Sequence, residues 1–518
     1  MVISLDSLAI VMSENDNTAI AKKNIKKGIV LGHLQEKLEI LNLIPQGHRF
    51  ALTNIPKGKM VQQYGYPFGI STGIKKGEII SKRNVRNYTV NYTTVIDEIF
   101  NKPRINTNNK KHEYIDKTIF AYRRTDGQIG TRNFYLVVPT SLCASDVASK
   151  IANTLDNDEA LKKRYKNIDG IVASAHTEGC GCNDGEIIER LLLVLKNTIA
   201  HPNVGGVLII DLGCEKTNRR LLSKYLGNLQ QYKKPIDFIT IQDLGGTLRS
   251  IATGKKIILE KLEKIDSIVR QKIHIKHLVI GTKCGASDSF SGITANPLIG
   301  EVVDKIISVS GSAILSEIPE AVGAEINLIK RMVSKEVAQK FIIGMNYYKN
   351  LAEKLGVSLE GNFVPGNEEG GLVNLTLKSL GAILKGGNSE IVDFINYAER
   401  IKKNGLSIMN GPGNDLESMT GIVASGANLI LFSTGMGATE GNLIVPVIKI
   451  STRTEIYEKM RDDIDFNAGQ LLDKNVKINV LSEELLDMVI EVASGKKTRA
   501  EFCKKRSFQI WSAGKLSL

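Results

Sequence analysis

From Thr118 onward the chain repeats one unit: a short, almost purely apolar run, a polar or Gly-rich break, then a stretch with helical periodicity. The runs are FYLVVPT (134–140), IDGIVASA (168–175), VGGVLIIDL (204–212), IDFITIQ (236–242) and HLVIG (277–281), with patterns such as GEIIERLLLVLKNTIA between them. A strand that is apolar on both faces must be covered on both faces, and a crossover helix returns the chain parallel to the strand it left. The alternation therefore predicts mainly parallel sheets clothed by helices. It continues through SAILSE, a helix from Ala321, GLSIM and ANLILFST, and the number of strands fits two α/β domains, 118–256 and 268–518, better than one.

The first 98 residues follow a different rule. Short β-rich pieces alternate with Gly turns, and x-I-x-x-G recurs at Ile25 to Gly28, Ile55 to Gly58 and Ile74 to Gly77, each copy followed by a strand-like run. This is the pattern of a small β domain, and the polar, Asn/Lys-rich stretch at 99–117 reads as a linker. At 518 residues the chain exceeds the size of a single core, so several domains are expected.

Composition excludes some classes. No run approaches the roughly 18 uncharged apolar residues of a membrane helix, and the N-terminal MVISLDSLAIVMSEND has an acid in its apolar stretch and no basic flank. A cytoplasmic protein is expected. The formal charge of +13 is concentrated before Thr118 in lysine pairs at turns. No stacking aromatics alternate with them, so a solvated basic face is expected rather than a nucleic-acid surface.

Four of the six cysteines occupy the same place in the repeat: Cys143, Cys180, Cys214 and Cys284 each follow a strand candidate. A parallel sheet gathers the carboxyl ends of its strands along one edge, where ligands of open α/β sheets bind. Thiols converging there suit a soft metal or an iron–sulfur cluster. Small residues that bury easily near strand ends are the alternative, and no C-x-x-C pair decides between them. Each cysteine has polar neighbours: HTEGCGC brings His176 and Glu178, LGCE brings Glu215, and KCGASDSFSG brings Lys283, Ser287 and Asp288. SAILSEIPEAVGAE adds Glu317, Glu320 and Glu325, and MNGPGNDLES adds Asn414 and Asp415, which either touch a ligand or cap a helix.

Several ordered motifs together resemble one family. GHRFALTNIPKGKMVQQYGYPFGISTGIKKGE (47–78), YRRTDGQIGTRNF (122–134), HTEGCGC (176–182), GTKCGASDSFSGITANPLIG (281–300), SEIPEAVGAE (316–325) and GPGNDLESMTGIVASGANLILFSTG (411–435) are similar to the altronate and galactarate dehydratases. The resemblance implies an N-terminal β-clip domain of the SAF type, with Asp16 and His48 as its candidate residues, ahead of two α/β domains. It also implies a hydro-lyase that converts a hexonate or hexarate into a 2-keto-3-deoxy sugar acid with a divalent metal, commonly Fe2+, with Mn2+ as a variant. A homodimer belongs to the same expectations.

Chemistry then assigns roles. Removing a proton next to a carboxylate requires a base, stabilisation of an enediolate and an acid for the leaving hydroxyl. His176 is the expected base, with Asp288 or Glu317 as acid and Glu325 as a further catalytic candidate. Arg132 and Lys283 are expected to clamp the carboxylate, with Asn133, Ser287, Asn414 and Asp415 as further substrate contacts; Cys143, Cys180, Cys214 and Cys284 are the metal candidates. Where family members carry two β-clip histidines this chain has Ser81 and Arg83, and Ile326 stands where a further histidine is expected. That departure implies an altered substrate, an altered metal or lost activity, while Lys82 and Arg83 suit a more anionic ligand such as a diacid; a hexarate of the galactarate type is favoured because GPGNDLES and STGMGATEGN resemble the aldarate branch. The departure also admits a sulfolactate-lyase-like elimination or a silent ligand-binding homologue.

Overall fold

The computed structural model describes residues 2–34, 36–88, 93–101, 116–474 and 476–515. Most of the predicted linker 99–117 lies outside the described residues.

The N-terminal unit is built from three small sheets, one of which joins Ala9–Ile10, Thr18–Ala21, Arg49–Ala51 and Ile79–Ile80. The x-I-x-x-G repeat explains the arrangement. Ile55 and Ile74 form a reciprocal antiparallel bridge, and Ile25 forms one with Ile44, which opens a fourth copy, I-P-Q-G, that the sequence reading missed. The closing glycines of all four copies, Gly28, Gly47, Gly58 and Gly77, have φ between 79 and 85°, a left-handed turn that a Cβ disfavours.

The middle unit holds a four-stranded parallel sheet, in the order Gly170–Ala173, Phe134–Pro139, Val204–Asp211, Ile236–Thr240. All eight residues of Val204–Asp211 are buried, as its unbroken apolar run requires of a strand covered on both faces. Thr118–Arg123 pairs antiparallel with Gln271–His274 and so clasps the entry of this unit to its exit. Sequence patterning ends the domain at 256, but the helix Thr247–Asp266 runs through that position, and the unit extends to the clasp.

The C-terminal unit carries seven parallel strands in the order Ile391–Ile395, Gly405–Met409, Ser312–Leu315, Val279–Gly285, Leu429–Thr434, Val447–Ser451, Phe466–Asn467. The chain leaves Val279–Gly285 toward one edge and enters its other neighbour, Leu429–Thr434, after the excursion is complete. The order reverses between those two strands, which makes their carboxyl ends the switch-point crevice of the sheet. The C-terminal tail crosses back to the middle unit: Arg190 lies over the Trp511 ring at 3.9 Å, and Lys515 pairs with Glu178 at 2.9 Å. Among the described residues no helix is long and apolar enough to cross a membrane.

Candidate active site

Lys283 and Cys284 end the strand Val279–Gly285 beside the switch point, and a charged network is built around them. The Lys283 ammonium pairs with Glu317 and, at 2.9 Å, with Asp415, and it donates to the Gly413 carbonyl at 3.0 Å. On the other side of Glu317 stands Lys385 at 2.7 Å, while Lys378 pairs with Glu320 at 3.1 Å. The side chains of Lys283 and Glu317 have 0% exposure and that of Lys385 1%. Buried charges of this kind persist only when paired, and here three ammoniums meet three carboxylates.

Burial pushes the Glu317 carboxyl up, helped by the charge of Glu320 and opposed by Lys283 and Lys385. Burial also opposes ionisation of Glu320, but Lys378, Lys283 and Lys385 outweigh it and hold that carboxyl at about 2. The two carboxylates are thus driven apart, the arrangement from which acid and base roles arise. Glu317 has a left-handed backbone (φ 73°), as does Ala286 (φ 52°) in the neighbouring loop. Non-glycine strain of this sort costs about 1–3 kcal/mol and gathers at functional positions.

Asp288 lies where the N-terminal unit docks on this edge. Its carboxylate accepts from the Ser291 N–H at 2.9 Å and the Thr452 hydroxyl at 3.1 Å, and faces the Arg453 guanidinium at 3.2 Å; burial pushes its carboxyl up. A Cβ on Gly435 would lie 2.5 Å from the Asp288 carboxyl carbon, so only a glycine admits the acid there. From the N-terminal unit, Arg49 donates to the Ser289 hydroxyl at 2.8 Å and the Gly371 carbonyl at 2.6 Å. One small cavity is lined by Tyr64, Ser287, Asp288, Ser291 and Lys378. A second is lined by Ser316, Glu317, Glu320 and Lys385. Lys378, which lines the first and pairs with Glu320 of the second, joins the two.

The structure changes the roles of several predicted residues. Arg132 spends all five of its N–H donors inside the protein: two on the Glu501 carboxylate at 2.6 and 2.8 Å, and one each on the carbonyls of Thr131, Val492 and Lys496. It has no donor for a substrate. Asn133 donates to the carbonyls of Asn167 and Ile265 and accepts from Arg124, which makes it part of the clasp. Both ring nitrogens of His176 are engaged by main chain, Nε2 with the Pro139 carbonyl at 3.0 Å and Nδ1 with the Glu178 N–H at 3.1 Å, and burial holds it neutral down to about pH 4. As the ring stands it offers no free nitrogen to a substrate proton. Asn414 is a helix cap, accepting from Leu416 and Glu417 N–H, whereas Asp415 beside it joins the network through Lys283. Glu325 is buried, with its carboxylate accepting from the Gly323 N–H, and Ser287 accepts at its carbonyl from Asn367. In the N-terminal unit Asp16 holds the turn before Tyr64 and Gly65, and the His48 ring lies 3.3 Å from the Gln46 carbonyl.

The cysteines divide between two places. Cys284 is buried in the network, 3.1 Å from a Glu320 oxygen and 3.3 Å from the Lys385 nitrogen, and burial with the Glu317 and Glu320 charges pushes its thiol up to about 12. Cys143, Cys180 and Cys214 follow strands of the other sheet. The four thiols therefore belong to two sheets, as the domain division 118–256 and 268–518 implies, and do not share one edge. Lys385, Lys378 and Arg453 were not singled out from the sequence: the two lysines lie in KSLGAILKGG (378–387), a stretch similar to the family, and each reaches the site from a segment far along the chain.

A charged crevice at the switch point is where an open α/β sheet binds its ligands. Three family models match in succession: the altronate/galactarate dehydratase SAF domain over 7–88, the second domain of D-galactarate dehydratase/altronate hydrolase over 121–266, and the D-galactarate/altronate dehydratase C-terminal domain over 275–516. The chain is 33% identical to an altronate dehydratase of Bacillus subtilis (strain 168) over 503 residues, covering 97% of this chain and 98% of that one. It is 31% identical to an altronate dehydratase of Escherichia coli (strain K12) over 501 residues, covering 96% of this chain and 98% of that one. A galactarate dehydratase (L-threo-forming) of the same organism is 31% identical over 494 residues, covering 93 and 92%. The chain belongs to the altronate/galactarate dehydratase family, a family of hydro-lyases.

Proposed function

We propose that the chain dehydrates a six-carbon sugar acid to its 2-keto-3-deoxy product at the carboxyl edge of the seven-stranded sheet. The observation that carries this reading is the buried Lys283–Glu317–Lys385 network at the switch point, in a chain that matches altronate dehydratases from end to end. The proton on the carbon next to the carboxylate goes to Glu317, whose raised basicity suits it for that task. Lys283 and Lys385 supply the fixed positive charge that an enediolate demands. Asp288, favoured in its protonated form by burial, gives a proton to the departing hydroxyl, which leaves as water. The enol then tautomerises to the keto acid, so oxidation state and atoms balance.

The substrate sits between two classes. Lys82 and Arg83 argue for a diacid, but the relatives matched over the greatest length are the altronate dehydratases. We propose a hexonate of the altronate type as the preferred substrate, with the hexarate as the competitor. Lys82 pairs with Glu368 of the C-terminal unit at 2.7 Å, which places the changed segment against the loop that abuts Asp288.

A divalent ion can be tested against one trio. Among the described residues, the ligand atoms of Cys284, Glu317 and Glu320 lie within 4.8 Å of one another. Their charge does not suit a dication: three ammoniums already neutralise the local carboxylates and the thiol is held protonated. The two proton transfers proposed here are assigned to the side chains of Glu317 and Asp288. Turnover of a panel of hexonates and hexarates, followed by keto-acid formation in anaerobic buffer with iron(II), is the test; no product from any acid would overturn the reading.

A further inference from the structure

Cys143, Cys180 and Cys214 follow three strands that are adjacent in the middle sheet, in the order Gly170–Ala173, Phe134–Pro139, Val204–Asp211. They stand at the carboxyl edge, with Cys143 and Cys214 exposed and Cys180 half-buried. Free cysteine is among the most buried residue types, so three open thiols on one functional edge need a reason. Neighbouring strands of a sheet lie about 4.8 Å apart, so the loops that leave these three strands stand side by side.

The loops that carry these thiols are braced to each other rather than left mobile. The Glu215 carboxylate accepts from the Leu212 and Gly213 N–H groups at 2.8 and 2.7 Å and from the Thr140 and Ser141 hydroxyls at 2.8 and 3.2 Å, joining the Cys214 loop to the Cys143 loop. The Thr217 hydroxyl lies 2.6 Å from the Thr140 carbonyl and 3.0 Å from that of Gly179, which adds the Cys180 loop. Ser145 donates to the His176 carbonyl at 2.7 Å, and the His176 ring is tied to Pro139. Gly179 is irreplaceable in this frame, since a Cβ there would lie 2.4 Å from the Thr217 oxygen. His176, Glu215 and Thr217 are thus positioning residues for three sulfur atoms.

The spacing selects what the sulfurs hold. A single tetrahedral ion with metal–sulfur bonds of about 2.3 Å would draw its thiolates to roughly 3.8 Å from one another. Among the described residues, the donor trio that converges within 4.8 Å is the one at Cys284 and not this one. Thiolates presented by three separate loops at neighbouring strand ends suit a cluster of several irons, whose normal protein ligand is the cysteine thiolate.

We propose that Cys143, Cys180 and Cys214 hold a tetranuclear iron–sulfur cluster with one iron left without a protein ligand. That iron supplies an open Lewis-acid position for the carboxylate and adjacent hydroxyl of a hydroxy acid, with no net oxidation or reduction. Loading binds three thiolates and releases their three protons to solvent. The substrate-binding part rests on the function proposed above; the cluster itself does not.

The test is iron and acid-labile sulfide analysis of anaerobically purified full-length protein, with visible absorption and electron paramagnetic resonance of the reduced form. Roughly equal iron and sulfide are expected, lost in Cys143→Ser, Cys180→Ser and Cys214→Ser and retained in Cys503→Ser, whose thiol is exposed elsewhere. Circular dichroism separates loss of cluster from loss of fold, and a double substitution Thr217→Val/Glu215→Gln should reduce cluster content with all cysteines intact. Iron without sulfide, zinc in its place, or a cluster indifferent to the three serine substitutions would overturn the proposal. A loaded protein whose resonance signal does not move on adding a turned-over acid would remove the substrate-binding part. A loaded protein that turns over no acid would sink the function above while the cluster stood.

Discussion

Arg132→Lys is a sharp test of how the site was assigned. The guanidinium meets five acceptors with five donors and is 1% exposed; an ammonium has three donors and cannot span the planar fork to Glu501. Two acceptors are therefore orphaned in the interior, at about 1–3 kcal/mol each, for a loss of roughly 4 kcal/mol. For a unit the size of the C-terminal domain, where each kcal/mol moves the midpoint by about 2–4 °C, that predicts a fall of roughly 8–16 °C. The assay pairs a thermal melt with steady-state kinetics at a temperature where both proteins are folded. The substitution should leave KM unchanged, because no atom of Arg132 faces a ligand. An unchanged melting temperature together with a KM raised about tenfold or more would refute the structural assignment and restore the side chain as a carboxylate clamp.

Other outcomes follow from the same geometry. Glu317→Gln should keep the fold by circular dichroism and lower kcat by about 10²–10⁴, the usual contribution of a general base; undiminished kcat would remove Glu317 from proton transfer. Gly435→Ala should displace Asp288, since the new methyl would stand 2.5 Å from its carboxyl carbon, and activity should fall much further than stability; full activity would show that the acid is dispensable or the loop pliant. His176 and His201 are held neutral by burial to about pH 4 and about pH 3, so the unfolded chain, with histidines near 6.5, binds protons that the folded chain refuses. The stability this confers is complete above about pH 6.5 and is lost as pH falls, by roughly 2 kcal/mol per histidine at pH 5. Denaturant titrations that give equal stability at pH 8 and pH 5 would contradict it. Lys82→Ala removes an ion pair with 49 and 52% exposed side chains and should change stability by less than about 1 kcal/mol.

Much of the architecture is local and was open to a sequence reading. Apolar runs such as VGGVLIID dictate strands covered on both faces, the helical stretches between them dictate parallel pairing, and I-x-x-G dictates the left-handed turns of the N-terminal unit. The copy at Ile44 keeps the same I-x-x-G spacing, and its bridge to Ile25 and left-handed Gly47 show that it makes the same turn. The sequence also placed Cys143, Cys180, Cys214 and Cys284 at or after strand ends, because strand length and loop composition are properties of neighbours in the chain.

Partnership is different. Arg132 and Lys283 were indistinguishable as basic residues in motifs similar to the family, yet one is exhausted by Glu501 and three carbonyls while the other sits at the switch point among carboxylates. His176 stood beside cysteines like a base, and the fold spends both its nitrogens on main chain. What separates these cases is which distant segments arrive: Lys385 and Lys378 at Glu317 and Glu320, Arg453 at Asp288, Glu501 at Arg132. By itself the sequence determined the strands, the turns and the loops where chemistry stands; the tertiary structure decided which charges those loops face and which thiols share an edge. A buried charge takes its role from its partners, and here those partners come from segments remote in the chain.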